Sequence, residues 1–187
     1  MEKWVVAAKS ADFQGIGRKF GIDPVIARLI RNRDMVTEEE IDQYLHGKLS
    51  SMHSWKLLGG IERVLEILEE KIKEKKKIRI IGDYDIDGVC STYILLQGLK
   101  RAGAVVDVDI PDRMKDGYGI SMDLIDLARE AQVDTILTCD NGISAIDQIA
   151  YAKSLGMTVL VTDHHEIPFE EQEGGSIRTF LPAADGI

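Results

Sequence analysis

Asp83, Asp85 and Asp87 alternate in the segment IIGDYDIDG, directly after a short apolar run. Two later apolar runs end the same way, one in TCDNG with Asp140 and one in TDHHE with Asp163, His164 and His165. Carboxylates crowded together repel one another and must take up protons or find cations. Imidazole and carboxylate side by side suit manganese, iron or zinc. The chemistry these residue types offer is therefore metal binding, provided the fold brings the three segments to one place.

The elements that would do so are legible in the flanking pattern. IRII (78–81), VVDVDI (105–110), TILT (135–138) and MTVLV (157–161) are short, apolar and β-branched, and amphipathic helical stretches separate them. That alternation predicts βαβ units and a parallel sheet. In such a sheet the strands share one direction and ligands bind outside their carboxyl ends, which is where Asp83 to Asp87, Asp140 and Asp163 to His165 fall. His164-His165 alone would more often mark a surface turn; beside Asp163, Asp140 and Asp85 the pair becomes a candidate ligand set.

Composition bounds the setting. The 187 residues, 44% of them hydrophobic, suffice for one domain of ordinary size or slightly more. Cys90 and Cys139 form no CxxC pair, so a disulfide framework is not expected and a reducing, cytoplasmic location is. No apolar run reaches the roughly 18 residues that span a bilayer, and the start MEKWVVAAKSAD is too short in apolar residues for a secretory signal. A net charge of −9 argues against gripping nucleic acid through bulk positive charge, yet leaves room for an acidic site that meets phosphate through bound ions.

The first sixty residues read as helical. Asp23-Pro24 supplies an N-cap and a first-turn proline before VIARLI, and Thr37 to Glu40 form a capping box before IDQYL. From Ile61 the apolar positions Ile61, Val64, Leu65, Leu68 and Ile72 keep helical spacing, with acids early and lysines late. The basic run KIKEKKKIR (71–79) is better explained by the helix dipole than by nucleic-acid binding. His46 and His53 are isolated and receive no role.

Acid-rich loops are reused by several chemistries. As an EF-hand, DYDIDG would place position twelve on Ile94, where a bidentate Glu is needed, and a strand precedes it, so calcium is rejected. DIDGV after a strand also resembles the nucleophile loop of haloacid-dehalogenase-type phosphatases, but TDHHE has no counterpart there. A plain strand-end turn explains any one of the three motifs and not all three.

Taken in order, GDYDIDGVCS, PDRMKDGYGIS, TCDNGIS and VTDHHE resemble the motifs of the DHH phosphoesterase superfamily, and within it the RecJ family of bacterial single-strand-specific DNA exonucleases. The likeness continues upstream through GIDPVIARLIRNRDMVTEEEIDQYL, a helical extension that the superfamily's nanoRNA and cyclic-dinucleotide phosphodiesterases and its pyrophosphatases lack. The resemblance implies an α/β fold, a parallel Rossmann-like sheet preceded by the helical extension, with residues 1–58 as the extension and 59–187 as the DHH domain. It implies hydrolysis of single-stranded DNA from 5′ to 3′ into mononucleotides with two manganese or magnesium ions, Asp85 on the first, Asp87 and His164 on the second, and Asp140 bridging. Asp83 and Asp163 would orient those ligands, His165 and Arg113 would meet the phosphate, and Gly117-Tyr118-Gly119 would allow a close backbone approach. A helix starting near Val89 would aim its N-terminus at the same anion. Implied partners are single-stranded DNA and single-strand-binding or other repair proteins, with no membrane. The alternatives are another phosphodiesterase of the superfamily, for oligonucleotides or cyclic dinucleotides, or a catalytically silent binding module.

Two departures qualify the likeness. Ile81 stands where several branches have a histidine, leaving the first ion short of a ligand. The chain also ends in FLPAADGI, before the family's fourth-motif aspartate and its DHH-associated domain, so a fragment inactive on its own is expected.

Overall fold

The computed structural model describes residues 9–114, 117–172 and 177–187. The N-terminal stretch weighed above as a secretory signal lies in part outside the described residues, as do Lys115 and Asp116 of the PDRMKDGYGIS motif. Two compact units divide the chain, residues 1–54 and 55–187.

Among its described residues the first unit holds three α-helices, α1 (Phe13–Phe20), α2 (Pro24–Asn32) and α3 (Glu38–His46), and a 3-10 turn at Leu49–Ser51. The two caps predicted from sequence are present. The Asp23 carboxylate accepts the Val25 N–H at 2.8 Å, and Thr37 and Glu40 form the reciprocal box, with the Glu40 carboxylate accepting the Thr37 N–H at 2.8 Å. The α1 helix was not legible in advance, because FQGIGRKF carries two glycines that lower helix propensity. Asp12 caps it by accepting the Gly15 N–H at 2.8 Å.

The second unit is built on α4 (Ile61–Lys73), β1 (Lys77–Ile81), α5 (Ile86–Arg101), β2 (Val105–Asp109), α6 (Met122–Glu130), β3 (Thr135–Cys139), α7 (Ile146–Ser154) and β4 (Thr158–Thr162). The four strands form one parallel sheet in the order β2-β1-β3-β4. Their apolar runs are continuous because both faces are covered. Ile136, Val159 and Val161 pack with Leu124, Ile125 and Ile149 of α6 and α7. Ile78, Ile80, Leu137 and Leu160 pack on the other face with Val64, Ile67 and Leu99 of α4 and α5. Each such side chain, fully buried, contributes roughly 1.5–3 kcal/mol, so the sheet is the rigid part on which everything else is mounted.

Beyond β4, β5 (Phe169–Glu171) and β6 (Ile177–Thr179) pair antiparallel, an element that sequence periodicity did not announce. The last residues then return to the edge of β4. The Asp185 N–H donates to the Val159 carbonyl at 2.7 Å, Val161 N–H to the Gly186 carbonyl at 2.9 Å, and Leu160 and Gly186 form a parallel bridge. Among the described residues no helix is long and apolar enough to cross a membrane.

Candidate metal centre

The chain leaves β1 for β2 on one side and returns to β3 on the other, so the carboxyl ends of β1 and β3 flank the topological switch point of the sheet. Asp83 follows β1, Asp140 follows β3, and Asp163, His164 and His165 follow β4. The sheet thus gathers the three segments as the spacing of strands and acids implied.

Asp140 and His164 meet directly, Oδ1 to Nε2 at 2.8 Å, with Asp140 nearly buried and the His164 ring largely exposed. Asp140 sits at φ 61°, in the left-handed region, where an aspartate is tolerated at a cost of about 1–2 kcal/mol. Its own N–H donates to the Thr162 carbonyl at 3.0 Å. Two residues on, Gly142 takes φ 112° with the Thr138 hydroxyl 2.6 Å from where a Cβ would stand, so the turn after Asp140 admits only glycine there.

Asp163 anchors both histidines. One carboxylate oxygen accepts the His164 N–H at 2.8 Å, the His165 N–H at 3.1 Å and His165 Nδ1 at 2.7 Å, and the other accepts the Ile143 N–H at 2.9 Å. Burial pushes the Asp163 carboxyl up, but the Ile143 amide, the His165 ring and the His165 amide outweigh it and hold the group below its ordinary value. The same ring bond raises His165, helped by the charges of Asp140 and Asp83 and opposed by partial burial. The sequence reading expects Asp163 to orient metal ligands; its hydrogen bonds here run to both histidine amides, to the His165 ring and to the Ile143 amide.

Asp83 is only 2% exposed, and one of its carboxylate oxygens is buried without a hydrogen-bond partner. Burial raises its pKa first of all; a backbone bond from Tyr84 works against this, while the charges of Asp85 and Asp140 raise it further. An orphaned buried carboxylate oxygen facing other acids is the condition that a cation relieves.

Asp85 does a second job: it is the N-cap of α5, its carboxylate accepting the Gly88 N–H at 2.9 Å. The helix therefore begins at Ile86 and not near Val89, and Asp87 falls in its exposed first turn. The group of ligand atoms that lies within 4.8 Å of one another comprises Asp140, His164 and His165; Asp85 and Asp87 stand outside it. Arg113 lies over the Tyr84 ring, 5.3 Å from its centroid, and Tyr84 meets Tyr118 edge-on at 6.4 Å. Tyr118 in turn meets His165 edge-on at 5.9 Å, its hydroxyl 3.2 Å from Nε2. Burial and the surrounding charges of Asp83, Asp163, Asp140 and Asp85 push the Tyr118 hydroxyl up to about 12, so it remains a proton donor at neutral pH. Gly119, at φ 68°, packs against Asn141, whose Cβ a methyl there would meet at 3.3 Å.

Sequence reasoning missed two residues here and the hydroxyl of a third. Tyr84 sits inside a quoted motif but carries no charge to draw attention, Asn141 is a polar residue whose 1% exposure no pattern announces, and Tyr118 was named only for its backbone. Beside the histidines opens a cavity of about 500 Å3, lined by Leu58, Ile61, Ile143, Val161, Ile167 and Leu181 among others.

A parallel sheet of this order gathers acids and paired histidines at its carboxyl edge, a donor set suited to divalent ions. The chain belongs to the DHH family: the family's N-terminal-domain model matches residues 77–183. The relatives it resembles are single-stranded-DNA-specific exonucleases RecJ. That of Haemophilus influenzae is 38% identical over 92% of this chain and 28% of its own length, and that of Bacillus subtilis 34% identical over 88% of this chain and 21% of its own. A crystal structure of exonuclease RecJ bound to manganese superposes with a TM-score of 0.58 at 35% identity, covering 68% of this chain and 30% of the other. The chain thus spans between about a fifth and somewhat over a quarter of the length of those curated relatives.

Proposed function

We propose that this chain is the metal-binding part of an exonuclease that hydrolyses single-stranded DNA from 5′ to 3′ into mononucleotides, acting in a reducing cytoplasm on DNA and alongside single-strand-binding or other repair proteins. The observation that carries the reading is the junction of Asp140, His164 and His165 beside the orphaned Asp83 oxygen, at the switch point of a DHH sheet. Residues 1–58 are then a helical extension and 59–187 belong to the DHH domain.

The donor set fits divalent ions: carboxylates and imidazole in reach of one another, and a buried acid lacking a partner. Asp85 would hold one manganese or magnesium ion, Asp87 and His164 a second, and Asp140 both. When bound, such ions neutralise charge developing on phosphate oxygens and acidify water so that it attacks at neutral pH. The chain's own residues do the rest. Asp163 accepts the backbone N–H of His164 and fixes the His165 ring through Nδ1, so that His165 presents a donor to the phosphate. Arg113, braced on Tyr84, offers a second cationic contact. The N-terminus of α5 turns backbone N–H groups toward the same anion.

The test compares mononucleotide release from single strands labelled at the 5′ or the 3′ end, with a duplex control, by this chain and by the full-length protein containing it, with manganese. Release from the 5′ end of single strands by the full-length protein upholds the reading. Cleavage only of cyclic dinucleotides or very short oligonucleotides would favour another DHH phosphodiesterase, and binding without cleavage a silent module.

A further inference from the structure

We propose that Asn141 is a positioning residue that holds Asp140 in its left-handed conformation and ties the two acid-bearing strand ends together; its bearing on metal affinity rests on the metal reading above. The side-chain amide spends both hydrogens on main-chain carbonyls, Ile81 at 3.1 Å and Cys139 at 2.9 Å. Ile81 is the last residue of β1, two before Asp83, and Cys139 the last of β3, immediately before Asp140. One amide therefore clasps the tips of the adjacent strands from which those two acids emerge.

The clasp is built for its donors alone. The amide oxygen is buried with no hydrogen-bond partner, a cost of about 1–3 kcal/mol that a residue kept for general packing would not carry. From the other side Gly119, at φ 68°, closes on the residue: a methyl there would stand 3.3 Å from the Asn141 Cβ. The same loop delivers the Tyr118 hydroxyl to the Asp140 carbonyl at 3.3 Å. The Asp140 backbone is thus gripped at its N–H by Thr162, at its carbonyl by Tyr118 and through the next residue by the amide clasp. Released from that grip, a non-glycine residue at φ 61° relaxes toward negative φ, and its carboxylate swings away from His164.

Two variants, a third as reference, and three measurements test this. The side-chain nitrogen signals of His164 in the metal-free protein report the 2.8 Å contact with Asp140, with Asp140→Ala as the reference for its loss. Titration calorimetry gives manganese affinity, and thermal melting without metal gives stability. Asn141→Ala should move the His164 signals toward the Asp140→Ala reference and weaken manganese binding about tenfold to a hundredfold, the usual effect of removing a group that orients a ligand. Should that variant unfold, Tyr118→Phe, which deletes only the hydroxyl, should shift the same signals in the same direction and weaken manganese a few-fold with an unchanged melting temperature. Asn141→Ala that melts lower while His164 keeps its wild-type signals and manganese its affinity would overturn the proposal, as would a silent Tyr118→Phe. Signals that respond as stated in a protein that ignores manganese would uphold the clasp and sink the metal reading alone.

Discussion

The two ends of the parallel sheet are made from the same kinds of charged residue and treat them in opposite ways. At the amino end of the strands, where α4, α5 and α6 finish, three lysines of KIKEKKKIR are spent internally. Lys71 pairs with Asp134 at 2.7 Å, Lys75 donates to the Gly103 carbonyl at 3.1 Å, and Lys77 donates to the Ala131 carbonyl at 3.2 Å while pairing with Asp107 at 3.0 Å. Helix C-termini and acids there meet cations from the chain itself. At the carboxyl end, Asp83 keeps an oxygen without a partner. A fold that can satisfy its charges at one end and leaves them unsatisfied at the other has reserved the second end for something from outside.

The sharpest way to break this contrast is Asp140→Asn. Asparagine also tolerates the left-handed region, so metal-free stability should stay near wild type, while manganese affinity should fall by about a hundredfold or more, exceeding what loss of an orienting group costs. Calorimetry and melting on the same samples check both. Unchanged manganese affinity would remove Asp140 from the centre.

The paired charges should respond the other way round. Arg79, on β1, makes two 2.8 Å bonds to Asp107 on β2 and is mostly buried. Asp107→Ala leaves that guanidinium short of a partner and should cost about 1–3 kcal/mol of stability with manganese affinity unmoved. Burial pushes the Asp107 carboxyl up, but the Arg79 and Lys77 hydrogen bonds and charges outweigh it, and the group titrates below its ordinary value. A carboxyl held down in the folded protein gives its full stabilisation above the unfolded value and loses it as pH falls through the folded one. Metal-free melting temperature should therefore drop below about pH 4, and drop less steeply in Asp107→Ala. A parallel pH dependence in the two proteins would show that the pair contributes nothing.

The fold was legible where hydrophobic period and cap chemistry agree: the four strands and the helices starting at Pro24, Glu38 and Ile61 follow from β-branched runs, Asp23, Thr37 and apolar spacing. The acids at the strand ends were legible too, because a parallel sheet turns spacing in the chain into proximity. What stayed hidden was conformation without pattern. Nothing in TCDNG reveals that Asp140 is left-handed or that Asn141 points inward to two carbonyls. Nothing in DYDIDG divides the duties of its acids, one buried, one capping a helix, one in an exposed first turn.

That division yields a smaller effect. Asp83→Asn replaces a buried carboxylate lacking a full set of partners with a neutral group of the same shape, so the metal-free protein should gain about 1 kcal/mol. Manganese should bind more weakly, and the stabilisation that saturating metal gives the wild type should shrink with it. A loss of metal-free stability would mean that the Asp83 charge already has a partner in the folded chain.

The least effect belongs to the amino end, and it separates the two accounts of the lysine run. Lys75 holds φ 56° and spends its ammonium on the exposed Gly103 carbonyl. Lys75→Gly relieves the left-handed backbone and loses one solvent-exposed hydrogen bond, two changes of opposite sign and similar size, so stability should move by no more than about 0.5 kcal/mol. If the run serves only the helix end, single-stranded DNA binding should be the same in wild type and variant and keep the same dependence on salt. A phosphate contact at this residue would instead weaken binding and lower the magnitude of the slope of log affinity against log salt by about 0.7, the value for one ion pair on a single strand. That outcome would give the amino end of the sheet a ligand of its own and dissolve the contrast between its two ends.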